Sequence, residues 1–165
     1  MTEHMLVHMA LTLVLAPALA AGTATRLRIA PLPALLQFAA LILCLHLPRV
    51  WDGMQQHRLL WLLGAAATLC SATLFWWPAL AAASPLGPVG RVGYLMVGMP
   101  VMSAAGVVLD FVDHPLYRGV TLAEQHRAGA LMWGLGSAVA AAILVAAAWS
   151  ALVREEQAAT RAGAQ

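Results

Sequence analysis

The chain enters a hydrophobic segment within its first ten residues, in the stretch HMLVHMALTLVLAPALAA of residues 4–21. A membrane-spanning helix needs about 17–25 mainly apolar residues, and a helix over residues 5–21 has that length. Glu3 and His4 precede the apolar core, where a signal peptide would carry basic residues. We therefore predict a retained helix, with cleavage after the Ala-rich end ALAAG as the alternative. The two histidines and two methionines at its start are unusual for a membrane anchor.

The composition of the whole chain agrees with a membrane protein. Of its 165 residues, 62% are hydrophobic and 10% are charged, whereas soluble domains carry about 25% charged residues. The net charge of +2 is too small and too dispersed to indicate nucleic-acid binding. The chain contains no nucleophile elbow, phosphate loop, dinucleotide fingerprint or HExxH motif. We expect a protein of the lipid bilayer that is not an enzyme.

Five apolar segments have the length of a membrane span, and the connections between them contain the Pro, Gly or charged residues expected of breaks. The predicted helices cover residues 5–21, 29–47, 59–77, 92–112 and 128–153. The prediction is an all-α, polytopic membrane protein: one transmembrane domain, residues 1–153, in a bundle of about five helices. Residues 154–165 form a polar carboxy-terminal tail.

Five crossings place the two termini on opposite sides of the membrane. We call side A the side of the amino terminus, which also receives the second and fourth connections. All six histidines lie at or near side A: His4, His8, His46, His57, His114 and His126. Arginines are nearly balanced, with Arg49, Arg58, Arg118 and Arg127 on side A against Arg26, Arg28, Arg91, Arg154 and Arg161 on side B. The positive-inside rule then slightly favours a cytoplasmic side B, with the histidine-rich side A periplasmic.

The paired residues at the amino terminus suggest a metal site. Because a helix turns about 100° per residue, His4 and His8 lie on one face, with Met5 and Met9 in the next row. Imidazole suits copper, zinc and iron, whereas thioether sulfur selects Cu(I), so this pattern favours copper. The alternative is that the methionines pack and the histidines lie at the membrane interface.

Two further histidines extend this candidate site. His46 ends the second predicted helix just before Pro48, which stops a helix, and His57 closes the following connection. Each alone has an alternative as an interfacial hydrogen-bonding residue. Four polar residues are candidates for orienting the imidazoles, or for helix caps and solvated turns: Asp52, Asp113, Glu124 and His126. Haem held by imidazoles from two helices is less favoured, because these histidines cluster at the surface.

Small residues repeat at four-residue spacing along the last predicted helix. They are Ala130, Gly134, Ala138, Ala142, Ala146 and Ser150. Rows of small residues let helix backbones approach closely. We expect this ridge to pack within the protein or against a partner helix.

The motifs HMLVHM…LAPALAAG, HLPRVWDGMQQH, TLFWWPAL, DHPLY and TLAEQHRAGALMW follow one another in the chain. In this order, over residues 4–156, the chain resembles the CtaG-like family of cytochrome c oxidase assembly factors of the caa3 type. By motif match, the family's histidines fall on His4, His8, His46 and His57. Its histidine–proline–acid stretch continues onto Pro48 and Asp52. Two later stretches match Asp113, Pro115, Leu116 and Tyr117, then Glu124, Gln125, Gly129, Met132 and Trp133.

The resemblance implies a multi-pass protein of the bacterial plasma membrane that helps mature haem–copper oxidases, through transient Cu(I) binding and delivery. Its partner would be a cytochrome c oxidase subunit or another respiratory complex. A structural accessory subunit without metal transfer is the alternative.

The chain departs from the family pattern in three places. By this resemblance, it looks short at the amino terminus by one or two crossings. It has Trp61, Gly64 and Ala65 where the family usually has further histidines, and His126 where Gln is common. If those missing histidines are ligands, this chain binds copper less tightly or acts differently.

Overall fold

The computed structural model of the protein describes residues 1–23 and 27–163, without the side chains of residues 99, 140, 158, 162 and 163. All regular structure in these residues is helical: α1 (Thr2–Gly22), α2 (Pro31–Leu45), α3 (Pro48–Gln56), α4 (Arg58–Leu80), α5 (Pro88–Phe111) and α6. Helix α6 consists of Leu122–Ala130, Leu131–Leu135 and Gly136–Gly163. Arg26 and the last two residues of the predicted tail lie outside the described residues.

Among the described residues, four helices are each long and apolar enough to cross a membrane, with mean hydropathies from 1.7 to 2.0: α1, α4, α5 and α6. Helices α2 and α3 add a fifth span if this bent pair is counted as one. The protein is therefore an all-α, multi-pass membrane protein, and the predicted fold class is confirmed.

The connection after the second predicted helix is itself partly helical. Helix α2 ends at Leu45 and α3 begins at Pro48, with an angle of 69° between them. Proline has no N–H to donate within a continuing helix, but it fits the first position of a new one. Helix α3 is amphipathic and buries Trp51 and Met54.

The last helix is longer than predicted at both ends. It begins at Leu122, because Thr121 and Glu124 form a capping box in which each side chain binds the other's backbone N–H. At the other end, the helix continues through the described part of the predicted tail to Gly163.

A proline in α1 fixes how this helix packs against α4. Pro17 has no N–H, so a preceding carbonyl loses its donor, and residues Leu11–Leu15 form a π-helical turn. The Thr12 carbonyl instead accepts a hydrogen bond from the Trp76 indole at 2.7 Å. The Thr12 hydroxyl donates to the His8 carbonyl at 2.8 Å. The contact between Trp76 and Thr12 therefore sets how α1 is placed along α4 and rotated about its own axis, and so where the histidines of α1 lie.

Helices α5 and α6 approach closely through two glycines. A Cβ at Gly129 would lie 2.5 Å from the Asp110 backbone nitrogen, and one at Gly106 would lie 2.8 Å from that of Trp133. Beside this crossing, the Trp133 indole donates to the Asp110 carboxylate at 2.8 Å. The crossing fixes the positions of the carboxy-terminal end of α5 and the amino-terminal end of α6, and therefore the position of the loop 112–121 that joins them.

Candidate metal centre

Three distant parts of the chain meet on side A. The Trp61 indole of α4 donates to His4 Nδ1 of α1 at 3.1 Å. The Tyr117 hydroxyl, in the loop between α5 and α6, donates to the His46 carbonyl at 3.0 Å. The backbone N–H of Arg118 donates to the Asp52 carboxylate at 3.3 Å. The amino end of α1, the α2–α4 region and the 112–121 loop therefore form one surface.

A small cavity lies beneath this surface, and we call it the side-A cavity. It has a volume of about 20 Å³, and its lining includes His4, His8, His46, Trp51, Met54 and Trp61. A space of this size holds about one water molecule or a single ion. Small-molecule pockets occupy about 300–1,000 Å³, so a porphyrin does not fit.

His46 lines this cavity and has one ring nitrogen without a hydrogen-bond partner in the described part of the chain. Its Nδ1 lies 2.7 Å from the Ile42 carbonyl oxygen, and because a carbonyl only accepts, Nδ1 carries the proton. In a neutral ring, Nε2 then holds a lone pair. Nε2 is buried and has no hydrogen-bond partner in the described part of the chain. A backbone carbonyl that fixes the tautomer in this way is typical of imidazoles that bind metals.

His8 faces His46 across the cavity. It is buried, and the two ring centroids lie 5.9 Å apart at an interplanar angle of 85°. Two imidazoles that bind one ion at nitrogen distances of about 2.0 Å have centroids within about 6.5 Å of each other. The pair therefore has a separation compatible with a shared ion.

His4 lines the same cavity but is held differently. Because an indole N–H can only donate, the bond from Trp61 requires His4 Nδ1 to accept. The neutral ring then carries its proton on Nε2 and keeps no free lone pair. The Trp51 ring stacks edgewise on His4 at 4.4 Å. His4 can donate electrons to a metal only after the bond to Trp61 breaks.

The remaining predicted ligands lie elsewhere. Met5 and Met9 are buried in the hydrophobic core and are absent from the cavity lining. The Met9 methyl packs toward α6, since a Cβ at Gly136 would lie 3.2 Å from it. His57 is exposed at the junction of α3 and α4. The structure thus brings together His4, His8 and His46, but not His57, Met5 or Met9.

The four polar residues predicted to orient the imidazoles make other contacts. Asp52 binds Arg118 and so ties α3 to the loop. Asp113 is exposed, and its hydrogen bond with His114 lowers its pKa. Glu124 belongs to the capping box of α6, and His126 Nε2 donates to the Val112 carbonyl at 2.9 Å.

Tyr117 and Gln125, which match the family motifs, support the loop over this region. Burial, and then the charge of Asp52, raises the pKa of Tyr117 to about 12, and its ring lies 5.0 Å from that of Trp51. Gln125 is fully buried, accepts from the Leu116 N–H at 2.7 Å and donates to the Leu109 and His114 carbonyls. These contacts hold the loop against the α2–α3 bend.

Several cavity residues escaped the sequence analysis as functional candidates. Trp51 and Met54 reach the cavity from α3, and their spacing of three residues on an amphipathic segment was the available signal. Trp61, Gly64 and Ala65, which the motif resemblance set against further family histidines, all line the same cavity.

Among the described residues, no group of three His, Cys, Asp or Glu side chains has the spacing to hold one ion. Among these residue types, His8 and His46 are therefore the pair of candidate ligands, because His4 is hydrogen-bonded to Trp61. Such a pair leaves an ion open to a third donor or to an incoming ligand.

Residues 23–154 match the sequence model of the family described as cytochrome c oxidase caa3 assembly factor, Caa3_CtaG. This range includes His46, Met54 and the 112–121 loop, and the resemblance inferred from the motifs is confirmed over it. His4 and His8 lie before it. Neither a curated protein nor a solved structure matches the chain.

Proposed function

Because the chain belongs to the cytochrome c oxidase caa3 assembly factor family, we propose that it helps load copper into a haem–copper terminal oxidase. In this proposal, Cu(I) binds transiently at the side-A cavity, between His8 and His46, and is then passed on. The partner is an oxidase subunit that receives the metal.

The buried, unpartnered Nε2 of His46 supports this proposal most strongly. An unpaired polar atom in a buried site costs about 1–3 kcal/mol, and a metal ion would satisfy it. His8 supplies a second imidazole at a suitable separation. Of the other predicted ligands, His4 lines the cavity, while His57, Met5 and Met9 lie outside its lining.

Transfer through such a site is ligand exchange and needs no catalysis. An ion held by two imidazoles keeps an open position at which an acceptor's ligand can attack. The direction of transfer then follows the relative affinities of the two sites.

For delivery to an oxidase, we propose that the chain lies in the bacterial plasma membrane with side A periplasmic and the carboxy terminus cytoplasmic. The slight excess of arginine on side B supports this orientation. A reporter that is active only in the cytoplasm should be active when it is fused to the carboxy terminus. Activity of a reporter that works only in the periplasm would show the opposite orientation.

The function is tested in cells that lack the chain and express a variant instead. We expect His46→Ala to leave the oxidase deficient in copper, although the variant accumulates in the membrane. His114→Ala, which removes an exposed histidine outside the cavity, is the matched control and should restore normal copper content. If His46→Ala also restores it, the cavity does not serve copper delivery.

A structural accessory subunit is the second candidate, and the small-residue ridge of α6 favours it. Ala130, Ala138, Ala142 and Ala146 are exposed, and a Cβ at Gly134 would meet no atom of the described residues within 4 Å. This face could receive a partner helix. Stable co-purification with the mature oxidase would support this candidate, whereas a transient assembly factor should be absent from it.

A further inference from the structure

Met54 lies in the wall between two spaces. It is buried on α3 and lines the side-A cavity. It also lines an apolar groove of about 430 Å³, which we call the lateral groove and which includes Leu45, Arg49, Gly53, Leu60 and Gly64. Leu45, Met54 and Gly64 line both spaces. The Met54 side chain therefore separates the cavity from the open groove.

The position of the Met54 sulfur depends on a glycine in the facing helix. A Cβ at Gly64 would lie 2.8 Å from Met54 Sδ, which is shorter than a van der Waals contact. The sulfur thus rests against α4 where that helix has no side chain. Methionine has three rotatable side-chain bonds, so the thioether is a flexible part of this wall.

We propose that Met54 is the sulfur ligand of the site and that Cu(I) passes between the lateral groove and the histidines across this thioether, an inference that rests on the proposed copper function. Thioether sulfur prefers Cu(I), whereas imidazole alone also suits zinc. Met54 therefore gives the site its preference for Cu(I) over zinc.

The other potential donors are less well placed for this role. Met5 and Met9 belong to the core and do not line the cavity. His4 Nδ1 accepts from Trp61. Cys44 and Cys70 are exposed and are also absent from the cavity lining. Met54 is the cavity-lining methionine in the described part of the chain.

X-ray absorption of the reduced, Cu(I)-loaded full chain tests the ligand directly. We expect a copper–sulfur shell in the wild type that disappears in Met54→Leu, which keeps a similar volume. The shell should persist in Met5→Leu, Met9→Leu and Met102→Leu, each of which replaces another buried methionine. A shell that survives Met54→Leu, or that disappears in Met5→Leu or Met9→Leu, would overturn the inference.

Affinity provides a second readout on the same proteins. Met54→Leu should weaken Cu(I) binding by about tenfold or more, since loss of residues behind a ligand already costs about 10–100-fold. Zinc affinity should change little. Equal Cu(I) affinity in wild type and Met54→Leu would reject Met54 as a ligand and leave the proposed copper function standing. If the wild type binds no Cu(I), the proposed function is rejected as well.

Two glycine-to-alanine variants test whether the position of the Met54 sulfur matters, while the sulfur itself is kept. Gly64→Ala should displace Met54 Sδ and weaken Cu(I) binding in the same direction as Met54→Leu. Gly93→Ala is the matched control, because this exposed glycine of α5 lines neither space and its Cβ would meet no described atom within 4 Å. If Gly64→Ala binds Cu(I) as the folded wild type does, the sulfur does not act from this position.

Discussion

The indole Nε1 of Trp61 donates a hydrogen bond to Nδ1 of His4 over 3.1 Å, and this bond joins α4 to α1. It uses the ring nitrogen that His4 would otherwise offer to a metal. Trp61 thus removes His4 from the set of free donors.

Trp61→Phe should increase Cu(I) affinity. The change frees His4 Nδ1 and keeps an aromatic ring against it. A hydrogen bond has a net value of about 0.5–1.5 kcal/mol, so release of His4 should tighten Cu(I) binding by about three- to tenfold. Competition with a chromophoric Cu(I) chelator measures this. Trp149→Phe, at an exposed position on α6, is the control, and an unchanged affinity in folded Trp61→Phe would exclude His4 as a ligand.

Gly129→Ala should strongly destabilise the protein. Its Cβ would collide with backbone atoms of Asp110 and Gly106 at 2.5 and 2.7 Å, and backbone cannot move aside as a side-chain tip can. Overpacking of this kind costs about 1–3 kcal/mol. Thermal unfolding in detergent measures the loss.

Gly134→Ala is the control for this crossing, because it lies on the same helix and its Cβ would meet nothing within 4 Å in the described part of the chain. Alanine favours a helix over glycine by about 1 kcal/mol, so this variant should be at least as stable as the wild type. Equal stability of the two variants would contradict the close crossing of α5 and α6.

Gln125→Leu should loosen the loop that covers the α2–α3 bend. It leaves the Leu116 N–H without its acceptor, and an unpaired buried donor costs about 1–3 kcal/mol. Hydrogen exchange of residues 112–121 should become faster, while Gln55→Leu, at an exposed position, should leave it unchanged. Unchanged exchange in Gln125→Leu would mean that other contacts hold the loop.

Tyr117→Phe should alter the dependence of stability on pH. The folded-state pKa of Tyr117 is raised to about 12 by burial and by Asp52, above the ordinary value of about 10. The fold thus favours the neutral phenol, and this stabilisation is complete below about pH 10 and is lost as the pH rises toward 12. The midpoint of thermal unfolding should therefore fall less over this range in Tyr117→Phe than in the wild type. If the unfolding midpoints of the two proteins fall in parallel with rising pH, the raised pKa of Tyr117 is contradicted.

The spans could be predicted from sequence because a bilayer requires long apolar helices. The histidine-rich side followed from counting crossings, and the break at Pro48 followed from its missing N–H. The helical character of residues 48–56 was missed, because a short amphipathic segment between two spans resembles a polar connection.

Which residues line the side-A cavity could not be predicted, because this depends on how each helix is rotated about its axis. Met5 and Met9 are adjacent to histidines in sequence, yet packing turns them into the core, while Met54 reaches the cavity from another helix. Likewise, nothing in the sequence pairs Trp61 with His4, since that contact depends on the register of α4 against α1.

Metal analysis of the reduced, purified protein tests the central claim most directly. We expect about one Cu(I) per chain in the wild type and in His114→Ala, and little in a variant that combines His8→Ala with His46→Ala. Equal copper content in all three folded proteins, or none in the wild type, would contradict a copper site in the side-A cavity.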